Sequence, residues 1–197
     1  MASRESGRFG LGSRLAMAWL VPAMMIGSGS VPKQDTSWKR YHSAEGKFCV
    51  DYPTKWLKSE VFDGSGVFFA TGAKKRSRPY GEIDVSAFTN DSSGLIPAAF
   101  SLGDDFEAHI SGLKRFVRAK DVQVLERQET ELSGTAALWV KDRYNDPFDH
   151  STWFEEMIFA RRSNVLYRIE LECRNDQSGR FDPVFKRVLS TFQFECK

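Results

Sequence analysis

Two chemistries have candidate residues in this chain, and a third feature is a charge run. Glu155 and Glu156 are adjacent acids in a strand-like segment, so their side chains leave opposite faces. At least one points toward a helix or the core, where a buried carboxylate needs a partner, and Arg161 and Arg168 are close enough in sequence to serve. The segment Asp142 to His150 holds the densest set of metal-ligand types: Asp142, Asn145, Asp146, Asp149 and His150. It lacks the ordered alternation and the glycine of a calcium loop, so it reads equally as a hydrophilic connection between strands. Lys74, Lys75, Arg76 and Arg78 place four cations within five residues, a patch suited to an acidic protein surface or to anionic lipid headgroups.

Nucleophilic catalysis has less to stand on. There is no Gly-x-Ser-x-Gly elbow, and Ser65 between Gly64 and Gly66 has an ordinary turn composition. The three histidines, His42, His109 and His150, sit in no Cys-x-x-Cys or His-Glu-x-x-His pattern. His109 falls beside a helical apolar stripe and reads as a surface or boundary residue. No catalytic residue, metal ligand or cofactor is assigned on these grounds.

These side chains must be carried by strands and two helices. Phe48, Val50 and Tyr52 alternate with Cys49 and Asp51 in a half-buried strand closed by Pro53. Val67 to Ala70 and Glu82 to Phe88 continue the strand pattern on either side of the basic run. Phe106, Ile110, Leu113 and Val117 follow a helical period, predicting a helix from Asp104 to Ala119 capped by Asp104 or Asp105. Four strand runs follow, 122–130, 136–144, 152–160 and 165–173, with links too short for parallel crossovers. Asp182 and Pro183 read as N-cap and first residue of a second helix that buries Phe185, Val188 and Leu189. A short strand over 191–194 completes an α+β chain with one large antiparallel β-sheet flanked by helices.

Residues 1–30 have the order of a cleaved secretory leader. Arg4, Arg8 and Arg14 precede an uncharged apolar run from Leu15 to Gly27, and Ser28, Gly29 and Ser30 supply small residues for cleavage. The run is shorter than the about 20 residues that span a bilayer, and Pro22 interrupts it. Residues 31–40 read as a flexible lead-in to one domain over 41–197. Three arginines and one glutamate leave with the leader, so the 28 basic and 26 acidic residues become 25 and 25. A neutral mature chain argues against a nucleic-acid binder. Export also bears on Cys49, Cys173 and Cys196, since an odd count leaves at most one bridge. Strand parity sets Cys173 with Ile169 and Leu171, and Cys196 with Phe192 and Phe194. Both faces look inward, which makes Cys173 and Cys196 the preferred pair, with three reduced thiols an equal alternative.

The strand Phe48 to Tyr52 ending at Pro53 before Trp56, the hairpin Ile158 to Ile169 and the terminal Phe185 to Phe192 together resemble the PsbP-like superfamily. That group includes exported proteins of the LpqN and DcrB types. The resemblance covers about residues 41–196 and implies a PsbP-like α/β/α sandwich. It also implies a non-catalytic role: a secreted or periplasmic module that binds an envelope protein or steadies a larger complex. The basic run 74–78 is then the expected partner contact. Two other functions remain open, a carrier of an apolar small ligand and an exported hydrolase without a recognisable motif. Partner identity and oligomeric state are not legible.

Overall fold

The computed structural model describes residues 37–72, 80–89 and 101–196. The leader, the basic run 74–78 and the segment 90–100 lie outside the described residues. Every described element belongs to the unit Asp35–Lys197.

Short links make sequential strands antiparallel neighbours, and the pairing follows that rule. Strands β3 (Leu57–Glu60), β4 (Gly66–Ala70), β5 (Gly81–Thr89), β6 (Lys120–Leu132), β7 (Thr135–Asn145), β8 (Thr152–Arg162) and β9 (Val165–Arg174) form a seven-stranded sheet in the order β3-β4-β5-β9-β8-β7-β6. Each ladder within it is antiparallel. Strands β1 (Trp38–Ser43), β2 (Phe48–Pro53) and β10 (Gln193–Phe194) form a second, three-stranded sheet in the order β1-β2-β10. The expected single sheet is thus two, and the strand ending at Pro53 belongs to the smaller one.

Helix α1 (Leu102–Gly112) runs into a π-helical turn, Leu113–Val117. Its N-cap is Ser101, not Asp104 or Asp105. Ser101 Oγ accepts from the Asp104 amide while the Asp104 carboxylate accepts from the Ser101 amide at 2.8 Å, a reciprocal capping box. Helix α2 (Ser178–Thr191) begins before Pro183 and carries that proline inside it, a turn earlier than Asp182 as N-cap predicts.

The helices cover opposite faces of the large sheet. On one face Val184, Phe185 and Val188 of α2, Phe48 and Val50 of β2, and Ile83, Val85, Ile169 and Leu171 share a core. On the other, Phe106, Ile110 and Leu113 from the α1 region pack on Leu138, Val140, Tyr144, Met157 and Phe159. The central strands are therefore covered on both sides, which puts their polar alternate residues under a helix rather than in water.

The cysteines pair differently from the parity expectation. Cys49 and Cys196 form the disulfide, with Cα atoms 5.7 Å apart, and Cys173 is a buried free thiol. The reason is topological. Strand β10 adds to β2, with Gln193 opposite Cys49 and Phe194 opposite Phe48, and the Glu195 amide bonds the Lys47 carbonyl at 2.9 Å. Cys173 does face the apolar set of Ile169 and Leu171, but it lies on β9 opposite Gly81 and Phe154.

Candidate functional site

The sheet face beneath α1 holds the densest chemistry among the described residues. Strand parity brings Asp84 and Ser86 of β5, Arg168, Glu170 and Glu172 of β9, Glu155 of β8 and Asp142 and Tyr144 of β7 to this face, and α1 lowers His109 onto them. Asp142 stands directly opposite Glu155, and Glu155 opposite Glu172. Asp142 and Glu155 are fully buried.

Each group has a specific neighbour. His109 Nε2 lies 2.9 Å from Glu155 Oε2. Arg168 donates to Asp84 Oδ2 at 3.0 Å and holds its Nε 3.2 Å from Glu170 Oε2. The Tyr144 hydroxyl donates to Glu172. At the rim, Arg161 donates to Asp105 of α1 at 2.7 Å. Neither carboxyl oxygen of Asp142 meets a nitrogen or hydroxyl donor, and its hydrogen-bond partner is the Glu155 carboxyl. Its neighbour across the strand pair is another carboxyl, so the two can be reconciled only by a proton or a cation.

The electrostatics follow from burial and like charge. Burial, then the Glu155 charge, pushes the Asp142 carboxyl up to about 9. Glu155 is raised well above its usual range by burial and by Glu170 and Glu172. Asp84 is raised because burial outweighs the attraction of Arg168. Burial works against the Arg168 charge too, but Glu170 and Asp84 outweigh it and hold the guanidinium above its ordinary value. Among the described residues this is a buried group with more carboxyls than cations, and it favours positive charge or protons.

The sequence candidates sort as follows. Glu155 and Glu156 do point to opposite faces, but both are buried. Glu155 meets His109, and Glu156 accepts from Trp139 Nε1 at 3.0 Å on the α2 side. Arg161 and Arg168 pair with Asp105, Asp84 and Glu170. His109 is a boundary residue, as expected, but turned inward: its side chain is 10% exposed and bonded to a buried acid. The 142–150 segment does not close on itself as a ligand loop. Asp142 turns into the sheet face, while Asp146 and Asp149 accept from the amides of Phe148 and Ser151 within their own turn. Ser65 is spent in its turn, donating to Asp63 Oδ1 at 2.6 Å. Burial pushes the Cys173 thiol up to about 12, away from the thiolate form. Sequence reading missed Asp84, Glu170 and Glu172, whose alternation with apolar residues looks like a solvent face. The available signal was a helix long enough to cover that face.

Beside this group a cleft of about 420 Å³ runs between the α1 region and the ends of β5, β8 and β9. Phe88, Leu113, Phe116, Phe159 and Leu166 form its apolar wall, and His109 and Arg168 its polar end. Phe116, on the π-helical turn, is exposed.

No protein-family model matches the sequence, and no curated protein does. Solved structures do. Cyanobacterial PsbP (CyanoP) of Synechocystis superposes with a TM-score of 0.55 at 15% identity, over 88% of this chain and 99% of that one. LpqN of Mycobacterium tuberculosis, described as involved in cell envelope biogenesis, superposes with a TM-score of 0.50 at 13% identity, over 82% and 92% of the two chains. The mostly antiparallel sheet with its two covering helices is therefore the PsbP-like α+β fold.

Proposed function

We propose that this chain is an exported, non-catalytic accessory module of the cell envelope that works by binding a protein partner. The observation that carries the reading is the shared architecture with CyanoP and LpqN over most of each chain, the latter being involved in cell envelope biogenesis. Three features support it. The leader-like residues 1–30 suit export, and the Cys49–Cys196 bridge suits an oxidising compartment. Most of the polar groups under α1 are paired with one another and largely buried, which fits a structural rather than a reactive role.

Two surfaces are proposed for contact. The cleft edge at exposed Phe116 offers an apolar anchor. The basic run Lys74, Lys75, Arg76 and Arg78 offers a charge-borne contact to an acidic protein face or anionic headgroups. A second reading, carriage of a small apolar ligand, is favoured by the Phe-lined cleft, whose volume suits a ligand of modest size. The deciding experiment is an affinity pull-down from an envelope extract at low and high salt. It is run beside a variant with the four cations changed to Ser and a Phe116→Ser variant. A specific partner weakened by both variants, and by salt through the basic run, supports the accessory module. Capture of nothing, together with a small molecule in the mass spectrum of the native protein, replaces it with the carrier.

A further inference from the structure

We propose that His109, Glu155 and Glu170, with Asp142 beside them, form a site for one divalent transition-metal cation that ties α1 to the large sheet. Three independent elements supply the ligands: α1 gives an imidazole nitrogen, β8 and β9 a carboxylate oxygen each. One such atom from each residue lies within 4.8 Å of the other two, close enough for all three to reach a common ion. These acids are not a solvated surface patch. Glu155 is 1% exposed, and the side chains of His109 and Glu170 are 10% and 12% exposed.

A second observation is independent of that spacing. Asp142 is fully buried, no nitrogen or hydroxyl donor meets its two oxygens, and its hydrogen-bond partner is the Glu155 carboxyl itself. Two buried carboxyls that must otherwise share a proton are what a cation would satisfy. The charge inventory points the same way. Arg168 is already committed to Asp84 and Glu170, which leaves His109 as the nearest nitrogen partner of the Glu155–Asp142 carboxyl pair among the described residues.

The donor set selects the metal class. One imidazole with carboxylates suits zinc and its neighbours better than calcium or magnesium, which take oxygen alone. Binding replaces the His109–Glu155 hydrogen bond with two bonds to the ion, and protons held among the carboxyls leave to solvent. With the ligands drawn from a helix and two central strands and little of them exposed, the ion has a structural role.

The test uses the purified protein, stripped with a chelator and then dialysed against zinc chloride, with calcium chloride as a separate arm. One zinc per chain by elemental analysis is expected, with an unfolding temperature raised by roughly 5 °C or more at saturating zinc. Glu155→Gln keeps the shape of the side chain and should weaken zinc at least tenfold without disturbing the near-ultraviolet circular dichroism. His109→Gln and Glu170→Gln should do the same. His42→Gln should bind normally, which separates this site from His42 beside the disulfide. Absence of stoichiometric zinc, preference for calcium, or unchanged zinc affinity in folded Glu155→Gln and His109→Gln would each overturn the assignment.

Discussion

Asp142 sets the sharpest condition on this fold. The folded chain keeps its proton up to about pH 9, whereas an unfolded chain releases it near its ordinary value of 3.8. The folded pKa is raised, so the stabilisation it confers is complete below about pH 4 and drains away as pH climbs toward 9. In chelator, the protein should therefore unfold at a lower temperature at pH 8 than at pH 5, with a slope of up to about 1.4 kcal/mol per pH unit from this one group. Asp142→Asn, which cannot ionise, should flatten that dependence and exceed the native chain in stability at pH 8. Equal melting temperatures at pH 5 and pH 8 in the native chain would show that Asp142 does not hold its proton. Little of this residue-scale chemistry was legible. Asp84, Glu170 and Glu172 alternate with apolar neighbours, and such alternation reads as one wet face and one dry face. What was invisible is that α1 lies over the wet one. Glu155 and Asp142 were each singled out in the sequence, but for different chemistry, and only the strand register shows that they face each other as one buried carboxyl pair.

At the scale of elements, legibility mostly follows burial, with β6 the exception: a strand is expected over 122–130 although nearly all of it is exposed. The stripe Phe106, Ile110, Leu113 faces the sheet, and its period gave the helix. Strands β5, β7, β8 and β9 bury one or both faces, and their alternation gave them too. Strand β3 is exposed at all four residues and β1 buries only two, so neither wrote a pattern; pairing with β4 and β2 makes them strands. The helix ends were harder for a local reason. Ser101 caps through a box closed by Asp104, so the acid that looked like the cap is its partner. Packing between elements also sets a limit at Gly81, the first residue of β5. A Cβ there would come 2.7 Å from the buried Phe181 ring of α2, which itself packs edge-on against Trp56. Gly81→Ala should cost about 1–3 kcal/mol in chemical denaturation. A variant within about 0.5 kcal/mol of the native protein, the scale of ordinary surface changes, would mean that α2 can slide on the sheet.

For the whole molecule the Cys49–Cys196 bridge dominates. It joins residues 147 apart in sequence, and in the chain-entropy view closing so long a loop disfavours the unfolded ensemble by about 5 kcal/mol. Cys49→Ser should lower the unfolding free energy by about 2–5 kcal/mol. It should also shift the protein on a non-reducing gel, whereas Cys173→Ser should leave its mobility unchanged. A Cys49→Ser protein as stable as the native one would place the bridge outside the fold's energetics. The same bond has a mechanical meaning. Every described element except β1 has residues inside one covalent ring, with the remainder of the chain attached as tails at Cys49 and Cys196. Tension applied through those tails loads β1, which lies in the N-terminal tail and pairs with β2, and then crosses the bridge without reaching the seven-stranded sheet or its helices. While the bond is intact, a module tethered at one end and pulled at the other would transmit the load and keep its large sheet folded, even with β1 stripped away.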